Sequence, residues 1–170
     1  FLTLGAGASL GGEFDAPPPG LEWQVLEQRQ SAYQRLVVLE DAAGQRRRLV
    51  VNEALDSFQS VWQAEPGLLG DGQYYDYFVL PAWWAGAQIR WRALVRGLGA
   101  GTAVRVWGGA LPRGTELDCI GVEIDPAVVE LGEAYFELQR GQPGRVVLSG
   151  VDARACLAGI TSLQDLVIVD

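Results

Sequence analysis

Between residues 92 and 170 the chain alternates short β-prone runs with helical stretches, and this alternation constrains the fold more than any other feature. Strands separated by helix-length segments do not close as tight hairpins. They align in parallel, with the helices as crossovers. The pattern predicts strands at 92–95, 118–123, 145–148 and 166–169. It predicts helices beginning at 102–107 and running over 126–139. The strand order expected for such an open sheet is 3-2-1-4. Asp125 precedes Pro126, which suits an N-cap followed by proline at the first helical position. Val128, Leu131, Tyr135 and Leu138 would then share one apolar face.

The preceding region reads differently. Residues 22–62 are β-rich, with strands expected at 23–27, 33–39 and 48–51 and a turn at 41–44. Arg46, Arg47 and Arg48 fall at a hairpin mouth, where charge is expected to keep a sheet edge solvated. From Gln73 the spacing becomes helical through Tyr74, Phe78 and Pro81. The bulk of Trp83 and Trp84 suggests packing in a core or an interface. Residues 1–7, FLTLGAG, look like a strand and a glycine loop, but three prolines at 17–19 follow where a helix should stand. The fold class expected is α/β: a small N-terminal β-domain followed by an incomplete Rossmann-like domain. The divisions are a linker or terminal segment at 1–21, the β-domain at 22–72, and a nucleoside-binding domain at 73–170 with its first four strands.

Composition removes several chemistries. The chain has no histidine, so Ser-His, Cys-His and His-metal sites are excluded within it. Cys119 and Cys156 are isolated, and no metal is expected. Lys and Arg number 13 against 21 Asp and Glu, a net charge of −8 that disfavours nucleic acid and attracts small cations. The expected location is the cytoplasm. A membrane segment before residue 1 is the alternative suggested by the apolar opening.

The remaining chemistry gathers in the alternating half. GLGAGT at 97–102 joins the first strand to the first helix, and Gly97, Gly99 and Gly101 let the backbone turn sharply beside a ligand. A dinucleotide fingerprint would need glycine at position 102, where Thr102 stands. The G-x-G-x-G form fits S-adenosylmethionine-type cofactors better than nicotinamide. Glu123 ends the second strand, where a carboxylate accepts ribose hydroxyls. Asp152 and Ala153 follow the third strand, where an acid meets an adenine amine. Asp170 ends the fourth. Three carboxylates thus fall at the ends of successive parallel strands.

These residues and four further segments resemble the spermidine synthase-like family of polyamine aminopropyltransferases. The segments are SAYQRLVVLED at 31–41, LVVNEALDSFQS at 49–60, YYDYFVLPA at 74–82 and VEIDPAVVELGEAYF at 122–136. The resemblance implies aminopropyl transfer from decarboxylated S-adenosylmethionine to a polyamine, by a homodimer or higher homo-oligomer. It implies that Gln34 lines the cofactor pocket, that Gln59 and Tyr75 face the substrate, and that Tyr74 and Asp170 lie at the reacting amine. Glu123 would hold the ribose and Asp152 the adenine. The family carries an aspartate in the glycine loop where this chain has Ala100, which is expected to weaken preference for the decarboxylated donor. The family's general base would fall after residue 170, so the 170-residue chain alone is expected to be inactive as a transferase. Two alternatives accompany this reading: an S-adenosylmethionine-dependent methyltransferase-like enzyme, and a non-catalytic nucleoside-binding module.

Overall fold

The computed structural model describes residues 23–51, 58–70, 72–85, 88–157 and 159–170. The expected linker at 1–21 lies outside them. Among the described residues the protein is a mixed α/β molecule with one antiparallel and one parallel sheet, each of four strands.

The antiparallel sheet runs β1 (Trp23–Gln30), β2 (Arg35–Asp41), β3 (Arg46–Val51) and β4 (Phe58–Gln63), in that order across the sheet. Asp41 closes the β2–β3 turn: its carboxylate accepts from the backbone N–H of Gln45 and Arg46. The β-branched and leucine content of β2 and β3 explains their position. Leu36, Val37, Val38, Leu49 and Val50 are fully buried. Each such side chain contributes about 1.5–3 kcal/mol through removal from water. β1 and β3 run longer than the expected 23–27 and 48–51, β2 lies two residues later than the expected 33–39, and β4 has no counterpart among the expected strands. Its glutamines and serine hide the alternation that puts Ser60 and Trp62 inside.

The arginine run is not simply a solvated edge. Arg46 is exposed. Arg47 donates to the Glu40 carboxylate at 2.8 Å and to the Tyr135 carbonyl at 2.8 Å, with its guanidinium 4.4 Å above the Trp62 ring. Arg48 lies 4.8 Å from the centres of both the Trp23 and Phe58 rings. The flat guanidinium groups of β3 cover aromatic faces presented by β1 and β4.

Tyr74–Val79 form a 3-10 helix rather than the expected α-helix, and only Leu80–Trp84 (α1) are α-helical. The Asp76 carboxylate fixes the entry by accepting from the N–H of Leu69 and Gly70. Trp83 and Trp84 are 71% and 81% exposed, so of the two expected settings, core or interface, the core of the chain is not theirs.

The parallel sheet contains β5 (Arg90–Arg96), β6 (Glu116–Glu123), β7 (Arg145–Ser149) and β8 (Leu166–Val169). Their order is β7-β6-β5-β8, with every pairing parallel, as the alternation predicts. The crossovers carry α2 (Thr102–Ala110), α3 (Pro126–Tyr135) and α4 (Ala153–Leu157). Trp107 of α2 packs edge-on against Trp91 of β5 and donates its ring N–H to the Phe78 carbonyl. Asp125 caps α3 by accepting from Ala127 N–H at 3.0 Å. α3 stops earlier than its apolar spacing predicts. The N–H groups of Phe136 and Leu138 both return to the Gly132 carbonyl, with Glu137 left-handed at φ 58°. Leu138 therefore leaves the helix face and packs beneath the glycine loop, where a Cβ on Gly101 would lie 2.9 Å from it.

One apolar cluster joins the two sheets. Leu36, Leu49 and Trp62 meet Val128, Leu131 and Phe136, with Ala100 among them.

Candidate functional site: a cleft at the ends of the parallel strands

The glycine loop, residues 97–101, turns back over the end of β5. Gly97, Gly99 and Gly101 all have positive φ, at 79°, 57° and 95°. Two of them also meet steric demands. A Cβ on Gly97 would lie 2.4 Å from the Asp170 carbonyl oxygen, and one on Gly99 would lie 2.7 Å from Ser60 Oγ. Any side chain at either position collides with a neighbouring strand.

Every loop N–H from 97 to 101 is already donated within the chain. Gly97 and Leu98 donate to the Val122 carbonyl, and Gly101 to that of Leu98. Gly99 donates to Glu123 Oε2 at 2.9 Å, and Ala100 to Ser60 Oγ at 2.8 Å. Thr102 follows with a two-way link, its hydroxyl accepting from Val61 N–H and donating to the Val61 carbonyl. The loop is thus clamped from β4 on one side and β6 on the other. It does not offer the row of free donors by which glycine loops hold phosphates.

Around this loop two adjoining cavities, of about 230 and 120 Å3, share Gly97, Glu123 and Asp170 and form one cleft. Glu123 stands at the junction. It is 4% exposed, and its second oxygen accepts from Asp125 N–H at 3.0 Å. Each carboxylate oxygen keeps a lone pair beyond these backbone bonds. The larger part of the cleft adds Ile124, Asp152 and Ala153. Asp152 accepts from the backbone and side chain of Arg154, and those hydrogen bonds hold its carboxyl down at about 2. The smaller part adds Gln59, Tyr74 and Gly99. Tyr74 donates to the Asp170 carboxylate, 3.0 and 3.1 Å from its two oxygens, while its ring stacks on Tyr75. Desolvation raises the Asp170 carboxyl above its usual range, and the Tyr74 hydrogen bond opposes that rise. Gln59 Oε1 is enclosed without a partner, an acceptor in want of a donor.

Eight of the residues singled out from the sequence line this cleft: Gln59, Tyr74, Gly97, Gly99, Glu123, Asp152, Ala153 and Asp170. Three do not. Tyr75 is 1% exposed and donates its hydroxyl to the Gln59 carbonyl, so it supports the wall from behind. Gly101 faces a different cavity and the Leu138 side chain. Gln34 ends the β1–β2 turn, which is tied to the start of α3 through Ser31 Oγ donating to Asp125 at 2.6 Å, but its side chain lines neither part. Ala100 also departs from expectation. It is 1% exposed and lies in the cluster between the sheets, so its side chain does not face the cleft. Sequence reasoning missed Ser60 and Thr102, the clamps on the loop. It also missed Arg96, whose position immediately before the first loop glycine was the available signal.

Among the described residues no helix is long and apolar enough to cross a membrane, and no group of three or more His, Cys, Asp or Glu could hold a metal.

No protein-family model matches the chain, and no curated protein matches it. Among solved structures the fold is similar to that of spermidine synthase from Thermotoga maritima, with a TM-score of 0.57 and 14% identity. The likeness covers 94% of this chain and 57% of that one, so the chain spans little more than half the length of that structure. At this identity the likeness is one of fold: an antiparallel sheet joined to a parallel α/β sheet, as in a spermidine synthase.

Proposed function

We propose that the cleft belongs to a Rossmann-like domain and binds the nucleoside of S-adenosylmethionine or its decarboxylated form, in a spermidine synthase-like aminopropyltransferase. The observation that carries this reading is the polarity of the cleft. It sets three carboxylates, Glu123, Asp152 and Asp170, against one cation, Arg96, and its glycine loop has spent its donors from 97 to 101 internally. A nucleoside without phosphates offers ribose hydroxyls and an adenine amine, which are donors. Glu123 is assigned to the ribose and Asp152, with Ala153 and Ile124, to the adenine. The sulfonium and its chain extend past Gly97 and Gly99 toward Gln59, Tyr74 and Asp170.

At that end Asp170 is assigned to the acceptor amine, a small polyamine. Alkyl ammonium groups have a pKa of about 10, and attack requires the neutral amine. Asp170 holds the amine in place, a general base takes its proton, the amine nitrogen forms a bond to the carbon beside sulfur, and the carbon–sulfur bond breaks to release methylthioadenosine. Tyr74 orients the carboxylate. Methyl transfer from intact S-adenosylmethionine is the second reading. It uses the same nucleoside site and differs in which carbon beside sulfur is transferred.

Calorimetric titration with methylthioadenosine tests the nucleoside assignment. Glu123→Ala is expected to cost about 1–3 kcal/mol of binding. An unchanged dissociation constant would refute the role of Glu123. Turnover assays with putrescine as aminopropyl acceptor, and for methyl transfer, then separate the two readings.

A further inference from the structure

Behind the glycine loop lies another cavity, of about 300 Å3, larger than either part of the cleft. The loop alternates between the two. Gly97 and Gly99 line the cleft, whereas Leu98 and Gly101 line this cavity. None of the three strand-end carboxylates reaches it. Val104, Leu138, Val146 and Val147 give it apolar walls, and Arg105, Glu137 and Arg145 bring charge.

The two arginines differ in their partners. Arg105 pairs with Glu137 and donates to the Gln63 carbonyl. Arg145 has no carboxylate partner among the described residues. Its Nη1 is enclosed with no acceptor, and the side chain it meets is the Cys119 thiol. Burial pushes that thiol up to about 11, against the pull of Arg145, so it stays neutral and leaves the guanidinium charge uncompensated. Arg145 is partly buried, and an enclosed guanidinium nitrogen without an acceptor is unfavourable. Its planar fork of donors matches a carboxylate. Space beside it is kept open by Gly108 of α2, where a Cβ would lie 3.5 Å from Arg145 Nη2.

We propose that this cavity is a separate binding site for a small organic acid, with its carboxylate on Arg145 and its apolar body against Val104, Leu138 and Val147. A volume of this size lies at the lower end of small-molecule pockets, roughly 300–1,000 Å3. The proposal stands independently of what the cleft binds.

The test uses the 170-residue chain and three probes: benzoate, its neutral isostere benzamide, and inorganic phosphate. Benzoate is expected to bind at least about tenfold more tightly than benzamide, since a charge-assisted pair replaces a neutral one. Methyl resonances of Val104 and Val147 should shift on binding, while those of Val169 in the cleft stay in place. Arg145→Met should remove the preference for benzoate and leave benzamide unchanged. Gly108→Val, which fills the space beside the guanidinium, should weaken benzoate by a similar factor and decides the matter if Arg145→Met fails to fold. Equal binding of benzoate and benzamide, full benzoate affinity in either folded variant, or shifts confined to Val169 would overturn the proposal. Phosphate binding as tightly as benzoate would overturn it too, by showing a site for bare anions.

Discussion

The two sheets contribute to the cleft in different ways. The parallel sheet delivers its carboxylates at strand ends, where the backbone stops pairing and side chains face outward. The antiparallel sheet sends one side chain, Gln59, into the cleft, yet its β4 strand sets the shape of the glycine loop through Ser60 and Val61. One sheet carries groups that can meet a ligand. The other fixes the backbone those groups surround. The difference teaches that residues near a site separate by what they face: Glu123 does both tasks, Ser60 only the second, and Ala100 neither.

Ala100 breaks the comparison most sharply if it is wrongly placed. If position 100 faced the cleft, Ala100→Asp would add an acid beside the ligand at little cost to stability. The structure buries this side chain among Leu36, Trp62, Val128 and Leu131. An aspartate there has no cationic partner and is expected to destabilise the fold by at least about 3 kcal/mol, the scale of an uncompensated buried charge. Urea denaturation measures it. A variant as stable as the parent would place position 100 in the cleft after all.

Ser60→Ala separates shaping from contact. Ser60 is 1% exposed and touches the loop, not the cleft. Removing its hydroxyl leaves the Ala100 N–H buried without an acceptor, which is expected to cost about 1–3 kcal/mol. Ser60→Cys, with a weaker acceptor of similar shape, should recover part of that loss. Hydrogen exchange at Ala100 is the local readout, and it should speed in the alanine variant well before exchange in β5 does. Equal acceleration across β5 would mean that Ser60 supports the sheet rather than the loop.

Much of the parallel half was legible in the sequence because its signals are local. A strand, a glycine loop and a helix follow one another in GLGAGT, and Asp125–Pro126 marks the next helix start by cap chemistry alone. Strand order followed from the connections. The rest depends on contacts between distant residues. Ser60 lies 40 residues from Ala100, and no periodicity announces their hydrogen bond. Arg47 looks like any exposed arginine until α3 brings the Tyr135 carbonyl to it. The end of α3 was overrun because Leu138 keeps the helical spacing, while Glu137 takes a left-handed conformation that non-glycine residues adopt only under tertiary constraint. For Trp83 and Trp84 size alone does not separate core from interface, and the fold keeps both out of the core.

Tyr74 gives the smallest expected effect and the finest view of the junction between the sheets. It lies on the segment linking them, and its hydroxyl meets the Asp170 carboxylate at the end of β8. Desolvation is the largest influence on its ionisation. The charge and hydrogen bond of Asp170 add to it, a hydrogen bond with Tyr75 works against it, and the phenol is pushed up to about 12 from 10.0. A raised value means that the folded protein favours the neutral phenol. Its contribution to stability is therefore complete below pH 10 and fades as pH rises through about 12. The ring is 43% exposed, so solvent screening keeps that contribution small. Ultraviolet titration of the parent minus that of Tyr74→Phe isolates this one phenol, with circular dichroism marking the range in which the chain stays folded. The difference curve should have its midpoint near pH 12, and Asp170→Asn, which removes the charge but keeps an acceptor, should bring it down. A midpoint at pH 10 in the folded parent would mean that Tyr74 is free of Asp170 in solution. The two sheets would then meet at the glycine loop but not across the mouth of the cleft.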